Sequence, residues 1–240
     1  MTFDISNLRI ALESMGFHLY DDEYDKFFTY CMMLLEKNKV MNLTAITDID
    51  EIITKHFVDS VMLHKAIDPK TVNTVIDVGT GAGFPGIPLK IVYENLNMIL
   101  LDSLSKRLEF LDEVIDELHL SGIETVHARA EDAGQAEVLR EKFDISLSRA
   151  VANLSALSEL CLPFVRVGGH FIAYKAGDVE KEVDEARHAI ELLGGGNIEI
   201  IKFTLPKSDL ERTLVKIEKI NKTPSKYPRK AGRPSKEPLV

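Results

Sequence analysis

From Thr74 to Lys175 the chain alternates short β-rich runs with amphipathic stretches, and this alternation restricts its fold more than any other feature. The runs are TVIDV (74–78), NMILLD (97–102), IETVHA (123–128), KFDISLS (142–148) and GHFIAYK (169–175). Between them lie helical patterns such as Ser105 to His119, where Leu108, Leu111, Ile115 and Leu118 recur at helical spacing. Strands separated by single helices are the signature of βαβ crossovers, and hence of a parallel, doubly wound α/β sheet. The end of the chain breaks the rule. NIEIIKFTLP (197–206) and RTLVKIEKI (212–220) are separated by only Lys207 to Glu211. That link is too short for a crossover helix, so the two runs form an antiparallel hairpin. The expected fold is a mostly parallel seven-stranded sheet closed by that hairpin.

The first 70 residues read as helical. Leu8, Ala11, Leu12 and Met15 mark one apolar face, and Tyr24, Phe27, Phe28, Cys31, Leu34 and Leu35 mark a stronger one after the capping candidates Asp21 and Asp22. NLTAITD (42–48) is a connector. A third helix around Glu51 to His64 brings Ile52, Lys55, His56 and Asp59 within one or two turns. Three regions are expected: a helical region over 1–70 packed on the core, a ligand-binding α/β domain over 71–221, and a basic, Pro-rich tail over 222–240.

Composition removes several function classes. Apolar and charged residues make up 45% and 28% of the 240 residues, as in an ordinary globule. No apolar run approaches the roughly 20 residues that span a bilayer, and MTFDISNLRI lacks the cationic start and apolar core of a secretory signal. Cys31 and Cys161 are the only cysteines, far apart and outside any metal-ligand spacing. That argues against a disulfide framework or structural zinc and fits a reducing, cytoplasmic setting. The net charge is −9, but Lys222 to Glu237 carries six cations against one acid, a local +5 that leaves −14 elsewhere. Such asymmetry points to a polyanionic partner, or else to a solvated arm.

VIDVGTGAGFPGIPLKI (75–91) carries the ligand question. Gly81 to Gly86 satisfies GxGxxG between a strand and a helix, where open α/β sheets bind ligands beyond the strand ends. A tight turn with no ligand would look the same. A P-loop is disfavoured, because the turn has no Lys and no Ser/Thr at the helix start. A pyrophosphate gains nothing from Pro85, which removes an amide donor, or from Asp77, which adds negative charge. Both suit a zwitterionic ligand with an ammonium group and a positive sulfur. Asp77-x-Gly79-x-Gly81-x-Gly83 lets the backbone approach such a ligand closely. The second strand ends at Asp102, placed to accept from a ribose diol. The third ends in ARAED, where Ala130 and Glu131 could face an adenine, although Glu131 and Asp132 would serve equally as helix caps.

Together, DxGxGxG, the Asp102 strand end, the AED element and the terminal hairpin resemble the S-adenosylmethionine-dependent methyltransferase fold. More narrowly, NLTAITD, KHFVDS, VGTGAGFPGIPL, LLDSLSKR, SRAV and TPSKYPRKAGRPSKEPL resemble the bacterial 16S ribosomal RNA guanine-N7 methyltransferase family, also called glucose-inhibited division protein B. The likeness runs from about Asn42 to Leu239. It implies that 71–221 binds S-adenosylmethionine, that Gly79, Phe84, Ala130, Glu131 and Arg149 contact it, and that S-adenosylhomocysteine is the product. Gly81, Gly83 and Asp102 join that set from the residue reading. The sequence departs from many members at KAG (Lys175 to Gly177), where they have Lys-Gly directly.

The fourth strand ends in Ser148-Arg149-Ala150-Val151, not the [DN]-P-P-[YF] of amino-group methyltransferases. Carbon-5 methylation needs a cysteine nucleophile, and Cys161 in LSELCLPF reads as core. Guanine N7 has an in-plane lone pair and no proton, so no general base is required. No catalytic residue is therefore assigned beyond Arg149, a candidate for holding the cofactor carboxylate or reading guanine O6, with a structural ion pair as the alternative. His56 and Asp59 read as a helix-packing pair. In the tail, Lys226, Arg229, Lys230, Arg233 and Lys236 would grip phosphates and Tyr227 would stack on a base, with Pro224, Pro228, Pro234 and Pro238 holding the arm extended. The expected partner is 16S RNA or the small ribosomal subunit, with no metal, no membrane and a monomeric chain. The rival readings are a cofactor-gated ribosome assembly factor, a small-molecule methyltransferase and a nicotinamide oxidoreductase.

Overall fold

The computed structural model describes residues 5–149 and 152–239. Seven strands form one sheet in the order β3-β2-β1-β4-β5-β7-β6. They are β1 (Thr74–Val78), β2 (Asn97–Asp102), β3 (Ile123–His127), β4 (Phe143–Ser148), β5 (Val165–Ala176), β6 (Gly195–Thr204) and β7 (Glu211–Lys219). The first five are parallel, and β7 runs antiparallel between β5 and β6. β1 is the hinge of the topology: Val75 lies opposite Met98 of β2 and Ile145 of β4, so the chain winds outward in both directions from this point. A crevice beyond the carboxyl ends of β1 and β4 follows from that order.

Strand side chains alternate between two apolar layers, as a pleated strand requires. Val75, Leu100, Leu147 and Tyr174 face a layer formed by α1 (Ser6–Ser14), α2 (Asp21–Met41), residues 49–65, α5 (Gly86–Val92) and α6 (Ser105–Glu117). Ile76, Leu101, Phe171 and Val215 face the other, covered by α8 (Leu154–Cys161) and α9 (Glu180–Leu192). The N-terminal helices therefore share one core with the sheet. Phe27 meets Phe57 at 5.1 Å between ring centroids, and Tyr30 meets Phe57 and Phe84 at 5.6 and 5.4 Å. Each such buried ring contributes about 2–3 kcal/mol of transfer free energy.

Two local details differ from expectation. α2 is entered at Tyr20, whose amide donates to Glu23, and Asp21 and Asp22 occupy the first turn, where their charge complements the helix dipole. The expected third helix is not regular. It starts as α3 (Ile49–Ile52), capped by Asp48, then widens into a π-helical turn over Ile53–Val58. It continues as α4 (Asp59–Val61) and tightens to a 3-10 turn at Met62–Lys65. Wide turns of this kind recur at functional sites, and this one carries Lys55 and His56.

The C-terminal segment is not an extended arm. It folds back over α7 (Ala130–Ala133) and α8 and ends in a short turn, α10 (Arg233–Lys236), with Pro234 in its first turn. Arg140 donates to the carbonyls of Thr223 and Tyr227 at 2.7 and 2.8 Å, and Gln135 to that of Pro228 at 3.0 Å. Lys219, fully buried at the end of β7, donates to Leu162 and Leu193 carbonyls and to Thr223. Burial pushes its ammonium down to about 8. Arg229 forms a two-pronged pair with the fully buried Glu159, and the Arg229 amide donates to the same carboxylate. Tyr227 is 6% exposed within the second apolar layer. Of the expected RNA contacts, Tyr227 is packed into the apolar layer and the Arg229 guanidinium is paired with Glu159. Lys226, Lys230, Arg233 and Lys236 remain exposed.

Removing one partner of a buried pair strands the other charge. Arg229→Ala is expected to lower unfolding free energy by about 3–5 kcal/mol in urea titrations. Adding Glu159→Gln in the same chain should return part of that loss.

Candidate active site at the strand ends

The loop after β1 is held from beneath by its own acid. Asp77 is fully buried, and its Oδ2 accepts from Thr80 Oγ1 at 2.7 Å and from the Gly86 amide at 3.0 Å, tying the loop to the start of α5. Its Oδ1 has no hydrogen-bond partner among the described residues. Burial pushes this carboxyl up to about 6, against the pull of those two donors. Asp77 therefore shapes the loop from within and does not present its charge to a ligand.

The glycines divide by role. Gly79 (φ +73°) has open space where a Cβ would point, and it lines a pocket of about 310 Å³. Gly81 (φ +63°) is nearly as open, and its amide donates to Asp102. Gly83 (φ +99°) is a packing residue: a Cβ there would lie 2.7–2.8 Å from Ile87, Leu111 and Tyr30 side chains. Phe84 is also turned inward. It is 5% exposed, its ring stacks on His56 at 4.4 Å, and its amide is bound to the Thr80 carbonyl. Gly83 and Phe84 brace the loop against the N-terminal helices, and neither lines the 310 Å³ pocket.

The same pocket is lined by Asp102 and Arg107 and by Ala130 and Glu131. Asp102 is 4% exposed. It accepts from the Gly81 and Leu104 amides at 3.0 Å each and from Arg107 at 3.3 Å. A carboxylate has about four acceptor positions, so one remains for a hydroxyl and a second opens if the half-exposed Arg107 swings away. Glu131 accepts the Gly232 amide at 2.7 Å, which joins the pocket wall to the C-terminal segment. Among the described residues Glu131 caps no helix of its own, and Arg129 occupies the cap position of α7.

Beside Ser148 the crevice opens into a second, larger cleft of about 740 Å³. Arg149 is central there; Ala150 and Val151, which complete its motif, lie outside the described residues. Its Nη1 donates to the Lys55 carbonyl (3.0 Å) and to Asp59 Oδ2 (3.2 Å), and its Nη2 meets His56 Nδ1 at 3.1 Å. Since an arginine can only donate, His56 Nδ1 accepts and the imidazole proton sits on Nε2, facing Thr44 Oγ1 at 2.9 Å. Burial and the adjacent guanidinium push His56 down to about 3, so the ring is neutral. Asp59 is 4% exposed; burial raises its carboxyl, opposed by Arg149 and Arg212. Lys175 also lines this cleft, donating to the Ala152 carbonyl and pairing with Glu182 at 2.7 Å.

His56 and Asp59 thus pack within helices, as their spacing predicts, and also wall the cleft. Arg212 was not legible in advance: it lies in a hairpin strand, 63 residues after Arg149, with no motif of its own. Cys161 is fully buried and burial raises its thiol, so it offers no nucleophile. Among the described residues no group of three or more His, Cys, Asp or Glu side chains is placed to hold a metal ion, and no helix is long and apolar enough to cross a membrane.

Comparison with known proteins adds the following. The family described as GidB, rRNA small subunit methyltransferase G, matches residues 23–214. A protein named ribosomal RNA small subunit methyltransferase G from Lachnoclostridium phytofermentans is 51% identical over 237 residues, 99% of this chain and 98% of its own. Its namesake from Clostridium tetani is 53% identical over the same length and coverage, and that from Acetivibrio thermocellus is 55% identical over 225 residues, 94% of this chain and 92% of its own. Among solved structures, Bacillus YcgJ aligns with a TM-score of 0.52 at 11% identity, over 69% of this chain and all of that one. M. jannaschii TYW2, solved in complex with AdoMet, aligns at 0.50 and 16% identity, over 67% of this chain and 77% of its own. These structural likenesses speak to the fold.

The Asp77 carboxyl gives a pH signature. Its folded value near 6 lies above the unfolded value of about 3.9, so the folded state binds the extra proton. Its contribution is greatest below about pH 4 and is lost as pH rises through 6. Urea midpoints of wild type and Asp77→Asn at pH 4.5 and 7.5 should show that decline in wild type and a weaker one in the variant. Gly83→Ala should lower Tm by several degrees, because it joins a left-handed φ to three close contacts.

Proposed function

This chain belongs to the rRNA small subunit methyltransferase G family, and on that premise we propose that it transfers a methyl group from S-adenosylmethionine to N7 of a guanine in the 16S RNA of the small ribosomal subunit. The 310 Å³ pocket fits the nucleoside of that cofactor. Gly79 leaves a cradle that any Cβ would fill, Asp102 keeps an acceptor position for a ribose hydroxyl, and Ala130 and Glu131 flank the place of the base. Arg149, at the junction with the larger cleft, would hold the amino-acid carboxylate. When bound, the cofactor supplies a sulfonium methyl that an in-plane lone pair can take without losing a proton.

The observation that carries the assignment is the family match, and the state of His56 agrees with it. The imidazole is neutral, and both ring nitrogens are engaged, so it can neither deprotonate an amine nor a hydroxyl. An acceptor that brings its own lone pair needs no such help. Rate enhancement then rests on holding donor and acceptor in line and on a fixed electrostatic frame. The Arg149–Asp59–Arg212 arrangement is such a frame, since its charges are ion-paired and held by packing.

Lys226, Lys230, Arg233 and Lys236 on the folded C-terminal segment would meet RNA phosphates, and the target guanine would leave its stack to enter the cleft. We place the protein in the cytoplasm as a metal-independent monomer with no membrane association. We take residues 71–221 as the cofactor-binding domain, with the N-terminal helices forming one wall of the acceptor cleft.

The test is incubation with methyl-labelled S-adenosylmethionine and either intact small subunits or their deproteinised RNA. N7-methylguanine in the mapped product is the expected result, and label on another atom or on no RNA would refute it. Gly79→Asp, which fills the cradle and forces an unfavourable φ, should abolish both adenosylhomocysteine binding and transfer. The triple variant Lys226→Glu, Lys230→Glu, Lys236→Glu should weaken RNA binding and flatten its salt dependence by about one unit of slope per lost phosphate contact, measured by filter binding.

A further inference from the structure

The larger cleft must choose a base, and the reading above does not say how. Arg149 is poorly suited to that task, because three of its bonds go to His56, Asp59 and the Lys55 carbonyl and its remaining donors are assigned to the cofactor carboxylate. Arg212 is differently placed. It stands on β7 opposite Ala176 of β5, lines the cleft, and donates from Nη1 to its neighbour's carbonyl at Glu211. Its Nε lies 3.3 Å from Asp59 Oδ1, close enough to pair charges but without hydrogen-bond alignment. Asp59 Oδ1 is thus a buried carboxylate oxygen at the cleft wall that lacks a well-aligned hydrogen-bond donor among the described residues, and the Arg212 guanidinium paired with it also lines the cleft.

We infer that Asp59 and Arg212 form the base-reading site of this cleft and that its ligand is the Watson–Crick edge of guanine. This rests on the methyltransferase reading. If N7 faces the donor, the atoms left to recognise are O6, N1–H and the 2-amino group. A carboxylate oxygen accepts from the two N–H groups, and a guanidinium donates to O6. Adenine reverses both contacts: its 6-amino group meets the guanidinium donor to donor, and its unprotonated N1 meets the carboxylate acceptor to acceptor. Unmatched buried polar groups are what make such a site selective. Arg212 acts here as a specificity residue, and Asp59 both orients it and touches the base.

Calorimetric titration of the adenosylhomocysteine-saturated protein with guanosine and adenosine 5′-monophosphates tests this. The wild type should prefer the guanine nucleotide by on the order of tenfold. Arg212→Ala and Asp59→Asn should erase the preference, Arg212→Lys should keep part of it, and adenosylhomocysteine affinity should stay within about twofold in both Arg212 variants. Should Asp59→Asn fail to fold, as judged by circular dichroism, the two Arg212 variants decide the matter. Equal binding of the two nucleotides by wild type overturns the inference while leaving the methyltransferase reading intact. Loss of adenosylhomocysteine affinity in Arg212→Ala overturns it too, by placing Arg212 on the cofactor. A wild type that binds no adenosylhomocysteine removes both.

Discussion

One stack of three side chains ties the site together. The Phe84 ring lies against His56 at 4.4 Å with an interplanar angle of 16°, and the Arg149 guanidinium sits 5.0 Å from the same ring. These residues come from the glycine loop, the π-helical turn and the end of β4. A guanidinium packed on an aromatic face and hydrogen-bonded along its edge loses little by desolvation, so a charge can stand at the floor of a crevice. Burial within this stack and the adjacent guanidinium charge keep His56 neutral. Tyr30 extends the stack into the N-terminal helices through its hydroxyl, which donates to the Ala82 carbonyl. Those helices brace the outer side of a glycine loop that Asp77 holds from within.

A second constraint acts from the opposite side. The C-terminal segment closes over α7 and α8, and these helices supply Ala130, Glu131, Leu157 and Leu160 to the smaller pocket. Glu131 touches both that pocket and the Gly232 amide, while Glu159 on α8 is neutralised by Arg229. The basic run is thus divided by function. Arg229 is an internal brace, and Lys226, Lys230, Arg233 and Lys236 form its outer face. A count of charges cannot make that division, because pairing depends on which acids the fold places beneath the segment.

The alternation of strands and helices was legible at near-residue resolution. TVIDV and NMILLD match β1 and β2, and the five-residue link at 207–211 correctly implied an antiparallel hairpin. β-branched runs bounded by glycine and helices bounded by caps are local signals, and a sheet buried on both faces leaves them undisturbed. The π-helical turn was not legible, since no local pattern separates a widened turn from an ordinary one. Gly79 and Gly83 carry the same letter in the same motif, yet one faces open space and the other abuts Ile87, Leu111 and Tyr30.

What the sequence alone determined is the order of the elements, the glycine loop at the strand end, and Asp102 one strand away. Each is encoded within a few residues, by backbone freedom or by hydrophobic period. What the tertiary structure decided is which charges remain available. Asp77 turned inward, Arg229 was consumed by a buried acid, and Arg212 was carried from a distant hairpin to the side of Asp59. For Arg229 and Arg212, availability depends on desolvation and on partners 70 and 153 positions away, and no local pattern records what lies across a fold.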